Sequence, residues 1–193
     1  YHYDRDLAYL RISPSLKFYF KKPYATSPVL QSLRLRLVHL DRELPPGFDQ
    51  PENGLNTSSY SVLNLTHEYE NTGILNPFSI ISDFYVGDEF SRISVEGDFR
   101  RMLWNKKWLI WRNYIGVFLV NTFADDGVNE NYYSLGLSGT QDFMFDYNLY
   151  GRSETGGIWS QQFFVSDGGF KSQTGVLSDK WMLSSNLTVP IWS

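Results

Sequence analysis

The sequence predicts an all-β chain, an antiparallel transmembrane β-barrel with about ten strands, and three observations lead there. Apolar and polar residues alternate at period two over stretches longer than the five or six residues usual in soluble strands. Aromatic residues make up 17% of the 193 residues. No run of about 18 apolar residues is present from which a membrane helix could be made, so a membrane-spanning chain of this composition must close its strands into a barrel.

The first strand is expected from Leu7 to Phe20, with Leu10, Ile12, Leu16 and Phe18 on one face and Arg11, Ser13, Ser15 and Lys17 on the other. Pro14 removes a ladder hydrogen bond and marks a bulge or an edge. Over about 29–40, Leu33, Leu35 and Leu37 oppose Ser32, Arg34 and Arg36. The Pro, Gly and Asn of residues 43–58 indicate a long exposed loop. Strands follow at about 59–70 and 78–87, the second setting Phe78, Ile80, Phe84 and Val86 against Ser79, Asp83 and Tyr85.

The clearest unit is the hairpin from Phe90 to Val120. Ile93, Val95, Gly97 and Phe99 alternate with Ser94, Glu96, Asp98 and Arg100; Leu109, Trp111, Ile115 and Val117 share a side, with Arg112, Tyr114 and Gly116 on the other. Residues 104–108 turn the chain between these arms, each longer than the roughly 9–11 residues that cross a bilayer as a tilted strand. Residues 121–131 form another polar loop, so short links alternate with long loops. Shorter strands are expected at 133–137, 143–149 and 159–165, and a last one at 181–191. No linker divides the chain, which is taken as one barrel domain over 1–193, whole or part of a larger barrel and a larger protein.

These faces supply the candidate functional residues. Arg11, Lys17, Arg34, Arg36, Asp83, Glu96, Asp98, Arg100 and Arg112 are expected to line a polar lumen, either selecting a solute or compensating one another as ion pairs. Leu10, Leu16, Phe18, Leu33, Leu35, Phe99, Ile115 and Val117 are expected to meet lipid. Trp104, Trp108, Tyr132, Tyr133, Trp181 and Trp192 suit interfacial girdles, where amphipathic rings sit at headgroup level.

Little points to catalysis. The three histidines are His2, His39 and His67; His67-Glu68-Tyr69-Glu70-Asn71 begins like the HExxH zinc motif but has Asn71 where the second ligand belongs, in a strand instead of a helix. No GxSxG elbow marks a nucleophile. Neither a catalytic residue, a metal site nor a cofactor is expected. Cysteine is absent, which excludes disulfides, and the basic residues do not build a nucleic-acid module.

Asp142-Phe143-Met144-Phe145-Asp146-Tyr147-Asn148-Leu149-Tyr150-Gly151-Arg152-Ser153-Glu154, then Ser160-Gln161-Gln162-Phe163 and Gly168-Gly169-Phe170-Lys171, carry a resemblance over about the last 60 residues. This region resembles the C-terminal barrel of large bacterial membrane-associated aminopeptidases of the gluzincin type. More distantly it is similar to the BamA-type surface-antigen barrels, whose inward-folded loop carries an Arg-Gly-Phe/Tyr motif; here Lys171 follows Gly168-Gly169-Phe170 and the Arg-Gly pair is missing. The resemblance implies the Gram-negative outer membrane, with Gly151, Arg152, Gly168, Gly169, Phe170 and Lys171 as motif positions. It does not carry over a peptidase, whose zinc motif is absent, or a translocase mechanism, whose Arg-Gly pair is absent.

The expected function is therefore a membrane anchor, or a pore-forming or translocation-related domain, of a larger bacterial surface protein. Expected partners are membrane lipids, lipopolysaccharide, other envelope proteins and the remainder of its polypeptide, with an export signal upstream of Tyr1. The rivals are a soluble secreted β-sandwich binding module and a rim-located lipid-modifying enzyme using His39 or His67. On the leading expectation Phe99→Arg costs roughly 2–4 kcal/mol and a similar change at Ser94 is mild, as unfolding in lipid vesicles would measure.

Overall fold

The computed structural model describes residues 9–22, 27–43, 57–103, 107–122, 132–134 and 177–190. Within them the period-two segments become strands β1 (Tyr9–Ile12), β2 (Ser15–Lys21), β3 (Val29–Glu43), β4 (Thr57–Asn71), β5 (Phe78–Gly87), β6 (Phe90–Met102), β7 (Trp108–Asn121), β8 (Tyr133–Ser134), β9 (Leu177–Ser178) and β10 (Trp181–Thr188). Eight form one antiparallel sheet in the order β1/β2, β3, β4, β5, β6, β7, β10, while β8 and β9 pair separately. The described residues contain no helix.

The sheet is open. β1 and β2 hold one edge, β10 the other, and the two edges are not paired. Closure into a barrel is therefore not seen within these strands. The strand tally also differs in kind from the expected ten. The first predicted strand is split in two, the predicted strand at 133–137 is described only at Tyr133 and Ser134, where it is β8, and those predicted at 143–149 and 159–165 lie outside the described residues. β10 pairs directly with β7 from Trp181↔Val117 to Thr188↔Ile110, so no strand intervenes between them.

Pro14 explains the split without a change of register. Tyr9↔Arg42, Ile12↔His39 and Ser15↔Arg36 all belong to the same pairing, and Leu37 N donates to Pro14 O at 3.1 Å across the gap. Proline lacks the reciprocal donor, a loss tolerable on an edge. The bulge of this edge lies instead at Phe20, between Tyr19↔Ser32 and Lys21↔Gln31. A second bulge places Leu119 between Ser91↔Val120 and Arg92↔Phe118. β5 turns into β6 through Asp88 and Glu89 alone, at the same end of the sheet where residues 44–56 join β3 to β4. That end carries both a tight turn and a long connection, so the expected alternation of long and short links is incomplete.

Residues opposite one another in antiparallel pairs share a face. One face therefore contains Leu16, Leu35, Leu65, Phe84, Ile93, Val117 and Trp181 in a single row across seven strands. The opposite face has its own apolar cluster at the end bearing the Asp88–Glu89 turn: Val38, Leu40, Tyr60, Val62 and Phe90 are buried, with Tyr85 and Phe118 against them. Tyr114, Tyr133 and Met182 continue it through Phe118.

Tyr133 is fully buried there, not at a girdle as its place after a polar loop suggested. Its ring lies over Gly116, where a Cβ would stand 2.6 Å from ring carbons, and its hydroxyl donates to Ile93 O at 3.3 Å. Glycine is required by this close approach, since a buried ring has nowhere to yield. Gly116→Val should destabilise the sheet by about 1–3 kcal/mol. In a Tyr133→Ala background the same change should cost clearly less; equal costs in denaturant unfolding would deny that the two residues meet.

Candidate functional site

The residues expected to matter separate onto the two faces. Arg11, Lys17, Arg34, Arg36, Asp83, Glu96, Asp98, Arg100 and Arg112 stand on one face; Leu10, Leu16, Phe18, Leu33, Leu35, Phe99, Ile115 and Val117 stand on the other. Gly151, Arg152, Gly168, Gly169, Phe170 and Lys171 lie outside the described residues.

On the polar face, charge is organised by strand. Lys17 Nζ donates to Glu68 Oε2 at 2.8 Å, and Ser32 Oγ donates to the same oxygen at 3.0 Å. Arg34 Nη2 donates to Thr66 Oγ1 at 3.2 Å, and Thr66 Oγ1 donates to Asp83 Oδ1 at 2.5 Å. Arg112 grips Glu96 with a two-point fork, Nε to Oε1 at 2.8 Å and Nη2 to Oε2 at 2.7 Å. Arg100 holds Asp98 less tightly, at 3.2 and 3.4 Å. Arg92, 8% exposed, is packed against the rings of Tyr85, Tyr133 and Phe118, with its guanidinium carbon 4.6, 5.3 and 5.9 Å from their centroids. Such placement gives a buried cation electrostatic compensation from ring faces. Sequence analysis does not single out Arg92, because the rings come from three strands and only the pairing assembles them.

On the apolar face several of the polar side chains bond to one another. Trp111 Nε1 donates to Ser185 Oγ at 2.9 Å, which in turn donates to Asn113 Oδ1 at 2.9 Å. Gln31 Nε2 and His67 Nε2 lie 3.3 Å apart, and His39 Nδ1 and Ser61 Oγ 3.0 Å apart. A continuous aromatic row crosses β4 to β7 on this face: Tyr69 on Phe78, Phe78 on Phe99, Phe99 on Trp111, with centroids 5.8, 6.0 and 6.1 Å apart. Sequence reading missed this row, because its members come from four strands. Of the expected girdle, Trp181 is exposed on the apolar face, while Trp108 falls on the polar face opposite Met102.

Catalytic arrangements are incomplete. His67 and Glu68 are adjacent in a strand and so point to opposite faces, which prevents the HExxH-like segment from presenting both to one metal. No group of three or more potential metal ligands occurs among the described residues. The His39–Ser61 pair has two members of a nucleophile–base–carboxylate set, but no carboxylate contacts His39 among the described residues.

Comparison with protein-family models, curated proteins and solved structures finds no match. The site is thus defined by its own geometry. The forked Glu96–Arg112 pair should show a coupling of about 1–3 kcal/mol in a double-mutant cycle with Glu96→Gln and Arg112→Gln. The more exposed Lys17–Glu68 pair should give about 0.2–1 kcal/mol, falling with added salt. Equal coupling energies would contradict the role assigned to the fork.

Proposed function

We propose that this chain is an outer-membrane β-barrel region that anchors a larger bacterial surface protein in lipid. The observation that carries the reading is an inversion of ordinary burial. In β6 Ile93 and Val95 are 43% and 36% exposed while Arg92 and Ser94 are 8% exposed each; in β10 Leu183 is 64% exposed and Ser184 is 5%. Water does not favour such an arrangement, because an exposed apolar patch larger than a few hundred Å² calls for a covering phase. Hydrocarbon is that phase here, and the polar face forms the interior.

Dimensions agree. From Val29 to Leu37 the apolar face of β3 runs eight steps, about 27 Å along the strand and about 20 Å when tilted near 40°, close to the roughly 25 Å band of such proteins. The row Tyr69, Phe78, Phe99, Trp111 borders this band at one end, as an interfacial aromatic girdle does. Mutual hydrogen bonding among Trp111, Ser185 and Asn113 fits a face without water, where an unsatisfied polar group is expensive. The reading requires the edges at β1/β2 and β10 to find partners, in each other or in further strands of the polypeptide, since an open edge is not stable in lipid.

The proposed partners are membrane lipid and lipopolysaccharide on the apolar face, and the remainder of the polypeptide or other envelope proteins at the ends. Pore formation and translocation are secondary to anchoring in this proposal, and no catalytic role is assigned to the described residues.

Arginine substitution tests it with a pattern. Leu33→Arg and Ile115→Arg, near the middle of the band, should cost roughly 2–4 kcal/mol of unfolding free energy in lipid vesicles. Phe99→Arg should cost only about 0–1 kcal/mol because the aromatic row sits near the band's edge, which revises the value expected from sequence. Ser94 is not the mild control it appeared to be, since it is 8% exposed opposite Gly116 and beneath the Tyr133 contact. Thr188→Arg, exposed on the polar face, replaces it and should stay within about 0.5 kcal/mol. Similar costs at Leu33, Phe99 and Thr188 would contradict lipid contact.

A further inference from the structure

We infer that one rim of the sheet, the end bearing the links 22–28, 72–77 and 103–107, docks against the phosphate groups of anionic phospholipids, with Arg101 and Lys21 as the cations that meet them. The inference rests on the reading of the apolar face as lipid-covered, and names the lipid that one end of that face prefers. All three links lie at the end carrying the aromatic row Tyr69, Phe78, Phe99 and Trp111. They contain no Asp or Glu, and they include Lys22 and Lys107. At the opposite end the sign is reversed: residues 44–56 bring Asp49 and Glu52, the turn from β5 to β6 is Asp88 and Glu89, and neither link has a Lys or Arg. The apolar face repeats the contrast. Lys21 stands opposite Gln31, in phase with Leu33 and Tyr69, and Arg101 follows Phe99 in phase, whereas Asp41 occupies the other end of the same face.

Lys21, Lys22 and Arg101 are exposed, and the ion pairs Lys17–Glu68, Arg100–Asp98 and Arg112–Glu96 use other cations. The backbone on both sides of Arg101 is held. Arg100 N donates to Pro77 O at 2.9 Å and Met102 N to Leu75 O at 3.2 Å, which carries the β6 ladder out along the 72–77 link. Thr72 N donates to Pro28 O at 2.8 Å and ties that link to the next, and Leu103 N donates to Lys107 O at 2.7 Å. The rim is thus bonded from the β2–β3 connection to the β6–β7 connection, and presents its cations without rearrangement. Ile74 and Leu75, within it, are 81% and 67% exposed. Cations interspersed with large exposed apolar side chains suit a headgroup layer, where phosphate lies just outside hydrocarbon; a dissolved anion offers nothing to the apolar members. Arg101 lies two positions outside Phe99, on the headgroup side of the aromatic row, and its guanidinium fork suits two oxygens of one phosphate.

The probes are phosphatidylcholine vesicles holding a minor share of phosphatidylglycerol brominated on its acyl chains, or the same share of brominated phosphatidylcholine. The full chain is reconstituted with Trp111 or Trp181 as its only tryptophan. Trp111 pairs with Phe99 beside Arg101, and Trp181 lies on the same face toward the acidic end. At low salt the brominated phosphatidylglycerol should quench Trp111 roughly two- to fivefold more than the brominated phosphatidylcholine, and Trp181 about equally with it. Added salt should shrink the preference. Arg101→Gln should remove it, Arg101→Lys should keep it, and Lys180→Gln, exposed at the other end, should leave it intact. Equal quenching of Trp111 by the two lipids, a preference that survives Arg101→Gln, or the same preference at Trp181 overturns the inference. Equal quenching by both lipids leaves hydrocarbon contact standing, whereas no quenching by either removes the reading beneath it, so the two failures are told apart.

Discussion

Every property of the two faces depends on conserved phase between strands. A slip of one residue in any ladder would send every side chain beyond it to the opposite face, and seven successive ladders avoid this over the middle of the sheet. The two irregularities, at Phe20 and Leu119, lie toward strand ends. The central row from Leu16 to Trp181 is therefore apolar without interruption, and the directly opposed row contains Lys17, Arg34, Thr66 and Asp83. Pro14 sits where that phase is least at risk, on an edge, with a carbonyl still able to accept from Leu37.

The polar face is itself divided along the strands. Toward the Asp88–Glu89 turn it is filled by Val38, Leu40, Tyr60, Val62 and Phe90, and by Tyr133 seated on Gly116. Away from that end it carries the charged rows. Arg92 marks the boundary, its guanidinium against three rings. The packed end supplies the protein-on-protein contact that hydrocarbon cannot, and the charged part keeps a polar surface on the side turned away from the apolar rows. On the proposed reading these are a filled end and a wetted middle of one interior.

Much of this was legible in the order of residues, because period two is a local signal. β5 falls at the predicted 78–87, and the alternation of β6 and β7 put Ile93, Val95, Ile115 and Val117 on one face before any pairing was known. What was not legible is whatever depends on which strands become neighbours. The aromatic row needs four strands in register, and the burial of Tyr133 needs a glycine seventeen positions earlier in the chain to be brought beneath it. Val38, Leu40 and Val62 continue the polar side of β3 and β4 and form its packed end, which becomes visible only when the two strands are paired. The direct pairing of β10 with β7 could not be inferred from spacing, since residues 122–180 separate them and further strands were expected in that interval.

The central claim is that hydrocarbon covers the apolar rows, and tryptophan fluorescence tests it most directly. Trp111 and Trp181 are both exposed on that face. In variants keeping one of these as the only tryptophan, reconstituted into phospholipid vesicles, brominated acyl chains should quench the emission strongly and aqueous iodide should have little effect. Strong iodide quenching with no effect of bromine at either position would contradict the account.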